Sequence, residues 1–236
     1  MLDWLLASID PSRGHDVGWH LSWHARLMVV AWAFLVPAGI LAARFFKIWP
    51  GQDWPAQLDN RNWWKAHRAA QYLGAVCMVA GLCLILVADP SEDTLPGPHA
   101  MMGWTVLAIA ALQIFGGILR GSKGGPTERD ATGTMRGDHF DMTRRRLLFE
   151  YAHKSLGYLA FFLSIATVIS GLWQSNAPRW MWIMLSLWWV ILGGVFVALQ
   201  RRGMTVDTYQ AIWGVDPDLP GNKRRPIGFG IRTFGR

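Results

Sequence analysis

The stretch His99-Ala-Met-Met-Gly103-Trp104-Thr-Val-Leu-Ala-Ile-Ala-Ala-Leu-Gln-Ile-Phe-Gly-Gly-Ile-Leu119 decides how the rest of the chain is read. From Ala100 to Leu119 it carries no charged side chain and is apolar around the whole helical circumference instead of along one stripe. A helix of that length crosses the ~30 Å hydrocarbon core of a bilayer. Four more runs share this character: Leu27 to Ala43, Ala69 to Ala88, Leu156 to Trp173 and Met181 to Leu199. The expected fold is therefore all-α, a polytopic membrane protein with five transmembrane helices, four of which form a core. Met1 to Asp10 has no basic leader and too short an apolar stretch for a secretory signal, so the first span is expected to direct insertion.

Charge orients the spans. Of the 23 Lys and Arg residues, all but Arg13, Arg26 and Arg179 fall on the side that receives the first loop, the third loop and the carboxyl terminus. By the positive-inside rule that side is cytoplasmic, with the amino terminus outside and the carboxyl terminus inside. The basic residues flank membrane spans without an interleaved aromatic platform, which excludes nucleic acid and points to anionic lipid headgroups as partners. Trp19, Trp23, Trp49, Trp54, Trp63, Trp64, Trp180 and Trp182 lie near span ends and read as interfacial anchors. Cys77 and Cys83 sit within one apolar run and read as small core residues. No Cys-x-x-Cys-His occurs, so covalent haem attachment is excluded.

Four histidines begin the first four spans: His24, His67, His99 and His153. Because consecutive spans run in opposite directions, His24 and His99 are expected near the outer face and His67 and His153 near the inner face. Two imidazoles from facing helices can fill both axial positions of one haem iron. Two such pairs imply two haems of b type, their irons on the order of 20 Å apart along ~30 Å spans. A zinc site would need three or four converging ligands, and neither His-Glu-x-x-His nor a Cys/His cluster appears. His20, one turn before His24, is the rival ligand on the first span, whereas His15 and His139 lie in polar segments. His99 and His153 each open a His-x-x-x-Gly-aromatic pattern that places Gly103 and Gly157 on the histidine face, where a flat macrocycle could lie. Gly39, Gly74, Gly81, Gly116, Gly117 and Gly171 serve either that purpose or plain helix packing.

The helix His24-Ala-Arg-Leu-Met-Val-Val-Ala-Trp-Ala-Phe-Leu-Val-Pro-Ala-Gly-Ile-Leu-Ala-Ala-Arg-Phe-Phe-Lys47, the segment Trp64-Lys-Ala-His67-Arg-Ala-Ala-Gln71 and the two His-x-x-x-Gly-aromatic motifs resemble cytochrome b561 domains. The likeness is to the bacterial form of the ferric-reductase transmembrane type, similar to the domain found joined to DOMON domains. It covers about residues 22–175 and implies His24 with His99, and His67 with His153, as ligands of two haem b groups. Arg44 and Lys47 fall where the family has basic residues after its first core helix, suited either to an anionic donor or haem propionate or to anchoring the span. Five spans instead of six, no DOMON domain and an added basic tail separate the chain from ascorbate-dependent members.

The expected organisation is an extracytoplasmic segment 1–21, the cytochrome b561-like core 22–175, a fifth span 176–200 and a basic cytoplasmic tail 201–236, in a bacterial inner membrane. The Gly-rich start of the loop at Gly121 lacks the Lys-Ser/Thr ending of a phosphate-binding loop. The tail, broken by Pro217, Pro220 and Pro226, is expected to be mobile or ordered by a larger complex that docks on Trp213, Phe229 and Phe234. The expected function is transmembrane electron transfer between a donor and an acceptor that are quinol, an ascorbate-like reductant or a redox protein. The alternatives are a quinol-linked oxidoreductase acting on an oxygen or iron species, and an accessory haem-bearing subunit of a respiratory or photosynthetic complex.

Overall fold

A computed structural model of the chain describes residues 1–88, 97–120 and 143–235. The loop 89–96, the Gly-rich stretch from Gly121 and His139 lie outside the described residues. The order of elements is α1 (Leu2–Leu6), α2 (Trp19–Phe45), α3 (Asn62–Val87), α4 (Pro98–Leu119), α5 (Arg144–Gln174), α6 (Arg179–Arg201) and α7 (Thr208–Trp213). Among the described residues, α2 to α6 are the five helices long and apolar enough to cross a membrane, and the chain is a multi-pass membrane protein. Pro98 opens α4, where its missing N–H costs nothing. Thr143 caps α5, its Oγ1 accepting from the Arg146 amide at 3.2 Å. A helix satisfies most of its backbone groups within itself, which is what an apolar span in lipid requires.

The chain divides into two compact units, one of Met1–Gly39, Arg68–Ala110 and Leu159–Phe196, the other of Ile40–His67, Ala111–Tyr158 and Val197–Arg236. In the first, a π turn over Val30–Leu35 interrupts α2 just before Pro37. Proline has no N–H, so the carbonyl four residues earlier, that of Ala33, loses its helical donor. The Trp188 indole of α6 supplies one instead, its Nε1 donating to Ala33 O at 2.7 Å while its ring stacks on Phe34 at 4.7 Å. This is how α6, with little of its surface buried, is fastened to the core. Asn176, in the turn between α5 and α6, has φ of 49°, which asparagine tolerates better than most residues. Only 1% exposed, it donates from Nδ2 to the carbonyls of Asp10 and Arg13 and accepts from the Asp10 amide. The amino-terminal segment is thus tied to that turn, and His15 Nδ1 adds a contact to Ser175 O at 2.7 Å.

In the second unit the carboxy-terminal tail, expected to be mobile or ordered by a larger complex, packs on its own chain. Tyr209, Ile212, Trp213 and Leu219 form a buried cluster, and any side chain at Gly221 would run into the Tyr209 ring. Gln210, completely buried, closes the end of the tail by accepting from the Phe234 amide and donating to its carbonyl, both at 2.9 Å. Core cations supply the rest. Arg44 donates to Phe229 O at 2.9 Å, Lys47 to Val206 O at 2.9 Å and Lys154 to Ile227 O at 2.5 Å. Charged donors to main-chain carbonyls make strong bonds, so a segment full of proline and glycine is held without regular structure. Trp213 is therefore core, Phe234 packs on Trp54 at 4.9 Å, and Phe229 lies on the Arg44 guanidinium at 4.1 Å. Gln210→Leu removes both hydrogen bonds to the part-buried Phe234 N–H and C=O, a cost of about 1 kcal/mol. Limited trypsin digestion is expected to cut the variant faster than the parent at Arg224, Arg225 and Arg232; equal rates would show that Gln210 does not secure the tail.

Candidate functional site

Each of the four span-initial histidines faces one other. The His24 and His99 ring centroids are 6.2 Å apart with planes at 81°, and those of His67 and His153 are 6.1 Å apart at 77°. An imidazole nitrogen about 2.0 Å from a metal sets its ring centroid ~3.1 Å away, so two rings on opposite sides of one ion stand ~6.3 Å apart. Both pairs have that spacing. Among the described residues no three His, Cys, Asp or Glu side chains gather as a metal cluster, so the donor set at each place is two imidazoles. That suits a metal whose other ligands come from a macrocycle. His20 is exposed and packs on Trp19 at 5.2 Å; the structure pairs His24, not His20, with His99.

The first pair is oriented by main-chain carbonyls. His24 Nδ1 lies 2.9 Å from Gly81 O, and His99 Nδ1 lies 2.9 Å from Thr167 O and 3.3 Å from Ser170 Oγ. A carbonyl can only accept, so in the neutral ring Nδ1 carries the proton and Nε2 keeps its lone pair for a metal. Glycines create these approaches. A Cβ at Gly81 would come 3.2 Å from Met28 Cε and 3.6 Å from His24 O, and one at Gly171 would come 2.9 Å from His99 Cε1 and 3.2 Å from its Nδ1. Gly171 is therefore the floor under the His99 ring. Gly103 borders a roomier space, where a Cβ would meet Thr167 Cγ2 at 4.0 Å.

The second pair is held by aromatic rings. Trp64 stacks on His67 with centroids 6.3 Å apart and planes 21° apart, and Phe149 stacks on His153 at 4.9 Å and 27°. The Arg120 guanidinium lies 3.9 Å from the Trp64 ring and that of Arg146 lies 5.4 Å from Phe149. His153 Nδ1 is buried without a hydrogen-bond partner, an unusual state for an imidazole nitrogen and one that fits a ring reserved for a metal. Here the Gly of the His-x-x-x-Gly motif serves protein packing: a Cβ at Gly157 would lie 3.0 Å from Gln113 Nε2, which donates to His153 O at 2.7 Å.

Trp63 and Trp64 stand near a span end, where tryptophan is expected at the membrane surface, yet Trp63 is 6% exposed and Trp64 braces a histidine. The available signal was spacing, because Trp64 precedes His67 by one turn, as Phe149 precedes His153 and Arg146 precedes Phe149. Arg44 and Lys47 are buried among tail contacts, Arg44 also donating to Tyr158 Oη at 3.1 Å and Gln200 Oε1 at 2.8 Å. Burial pushes the Lys47 ammonium down to about 7, with Lys154 adding to the effect and Asp207 and Glu150 opposing it.

Residues 23–125 match the family described as eukaryotic cytochrome b561. That match contains His24, His67 and His99, and His153 lies beyond it. The chain is similar to a cytochrome b561, DM13 and DOMON domain-containing protein of Arabidopsis thaliana, 28% identical over 149 residues, or 63% of this chain and 14% of the relative. It is also similar to ferric-chelate reductase 1 of Bos taurus, 26% identical over 150 residues that make up 63% of this chain and 22% of the relative. A cytochrome b561 and DOMON domain-containing protein of Arabidopsis thaliana is 25% identical over 179 residues, 75% of this chain and 37% of the relative. The chain thus spans well under half the length of these relatives. No solved structure matches it.

Proposed function

We propose that this chain is a cytochrome b561-type electron-transfer protein that passes electrons across a membrane through two b haems, one ligated by His24 and His99 and one by His67 and His153. The observation that carries this reading is the spacing of the two imidazole pairs, 6.2 and 6.1 Å between centroids, on helices able to span a bilayer. Bound haem supplies one-electron chemistry at iron. The chain's residues supply the rest: Gly81, Thr167 and Ser170 set the tautomer and orientation of one imidazole pair, and Trp64 and Phe149 orient the other. The charge asymmetry of the loops supports placing His24 and His99 toward the outside of a bacterial cytoplasmic membrane and His67 and His153 toward the cytoplasm, with basic loops against anionic lipid.

The name of one relative, ferric-chelate reductase 1, supports an outer acceptor that is a ferric chelate. Gly103 and Gly171 support haem packing at the outer pair, whereas Arg44 and Lys47 read as anchors of the tail. The test is reconstitution in sealed vesicles with a ferric chelate on one side and either ascorbate inside or a quinol in the bilayer. Ferrous product outside that requires both the protein and a donor is the expected result. Formation of ferrous iron only when donor and chelate share a compartment would contradict transmembrane transfer, and the more effective donor decides between the ascorbate-type and quinol-linked readings.

A further inference from the structure

Within the second unit, the first turns of α5 and the tail form a cleft of about 260 Å³, lined in part by Leu147, Glu150 and Tyr151 on the helix and by Asp207, Thr208, Arg224 and Arg225 on the tail. Its depth follows from the sequence. The helix α5 has 31 residues, more than the ~20 that cross the hydrocarbon, and its apolar run begins only at Leu156. The cleft, formed on residues ahead of that run, therefore stands at the level of the lipid headgroups. Tyr151 on its wall is 57% exposed and Leu148 beside it 71%, so it borders the surface that lipid covers.

The acids of the cleft are covered and its cations are not. Glu150 accepts from Lys154 Nζ, and Asp207 is 5% exposed, whereas Arg224 and Arg225 are exposed. With Lys154 included, cations outnumber acids, which favours an anion. The segment that carries the arginines is fixed before any ligand arrives, because the Arg224 amide donates to Gly221 O at 3.2 Å and Lys154 Nζ donates to Ile227 O at 2.5 Å. A guanidinium matches the oxygens of a phosphate, and the hydroxyls of Thr208 and Tyr151 are further donors on the wall. A volume of about 260 Å³ falls short of the roughly 300–1,000 Å³ that encloses a whole small molecule, which suits a headgroup whose chains lie outside.

We propose that this cleft binds the phosphate of an anionic phospholipid, phosphatidylglycerol, with Arg225 as its main cationic contact, Thr208 and Tyr151 donating to it, and the acyl chains running down past Leu148. This rests on the reading that the basic side of the chain meets anionic lipid, and narrows it from a general attraction to one place. Arg224 adds positive charge to the same edge while keeping its contacts within the chain. The bound headgroup joins residues 224–227 to the start of α5, so that one lipid fastens the tail to the membrane.

Native mass spectrometry of the purified full chain in detergent, with short-chain phosphatidylglycerol, phosphatidylethanolamine or phosphatidylcholine added, counts the lipid bound. One phosphatidylglycerol held more tightly than further copies, and more tightly than either zwitterionic lipid, is the expected result. Arg225→Gln is expected to weaken its binding roughly tenfold, the worth of a charge-assisted hydrogen bond, and Arg225→Lys to weaken it less. Arg201→Gln, at the end of α6 and outside the cleft, is expected to bind as the parent does. Equal losses in Arg225→Gln and Arg201→Gln would overturn the site while leaving the general attraction standing. A parent that holds all three lipids alike would overturn both. Displacement of the lipid by inorganic phosphate at equal concentration would overturn the assignment to lipid and identify a soluble phosphate ligand. If Arg225→Gln fails to assemble, Thr208→Val, which removes a hydroxyl at nearly constant shape, decides: weaker phosphatidylglycerol binding supports the site, and binding equal to the parent's overturns it.

Discussion

Replacing His153 with Ala is expected to remove one of two b haems, reducing the haem absorbance per chain by about half, and to abolish donor-dependent transfer across vesicles to the background of empty membranes. The same result is expected for His67→Ala, because one imidazole cannot supply both axial positions. His24→Ala and His99→Ala are expected to remove the other haem, so that any variant from one pair combined with any from the second leaves none. His20→Ala, one turn from His24 but directed toward Trp19, should retain both. Haem quantification on the purified variants distinguishes these outcomes. Loss of a haem in His20→Ala with both retained in His24→Ala would move the ligand by one turn.

A large effect is also expected from a residue that can ligate nothing. Gly171→Val puts a branched side chain where a single Cβ would already lie 2.9 Å from His99 Cε1. The ring cannot slide away freely, since its Nδ1 is tied to Thr167 and Ser170 on the same helix as Gly171. The variant is expected to lose affinity for the haem at His24 and His99 by roughly 10–100-fold, the usual effect of disturbing a residue that orients a metal ligand, with the His67 and His153 haem retained. Gly171→Ala should do less, because a small shift of the ring relieves one methyl. A Gly171→Val protein with two haems of unaltered affinity would show that the His99 ring is not confined from that side.

The spans were legible because an apolar circumference over a bilayer's length needs no knowledge of what the helix packs against. The histidine pairing was legible for a related reason: alternation of direction assigns the starts of successive spans to alternate faces. Both readings depend only on local sequence and chain order. What resisted reading depends on distant residues. Pro37 announces a freed carbonyl at Ala33, but nothing near it names Trp188 as the donor that satisfies it. The tail carries the composition of an unstructured segment, and its order comes from Arg44, Lys47 and Lys154, far away in sequence, meeting three of its carbonyls. Trp64 illustrates the same limit at the site, because tryptophan near a span end is suited equally to the membrane surface and to a neighbouring imidazole.

The two glycines of the shared His-x-x-x-Gly pattern carry a narrower lesson. Gly103 stands beside open room, and Gly157 accommodates the Gln113 amide. A repeated motif thus fixed the position of a small residue on the histidine face without fixing what the space is for. Similarly, the basic residues after the first and third spans are read by sign alone, although they include tail anchors at Arg44 and Lys47 and cations stacked over Trp64 and Phe149 at Arg120 and Arg146.

The most direct measurement is the ratio of extractable b haem to polypeptide in the purified full chain, taken with a reduced-minus-oxidised spectrum. Two haems per chain, both low-spin with two imidazole ligands, is the expected result. A ratio of one or none, or a spectrum showing iron with a single histidine, would contradict the claim that these four histidines act as two axial pairs.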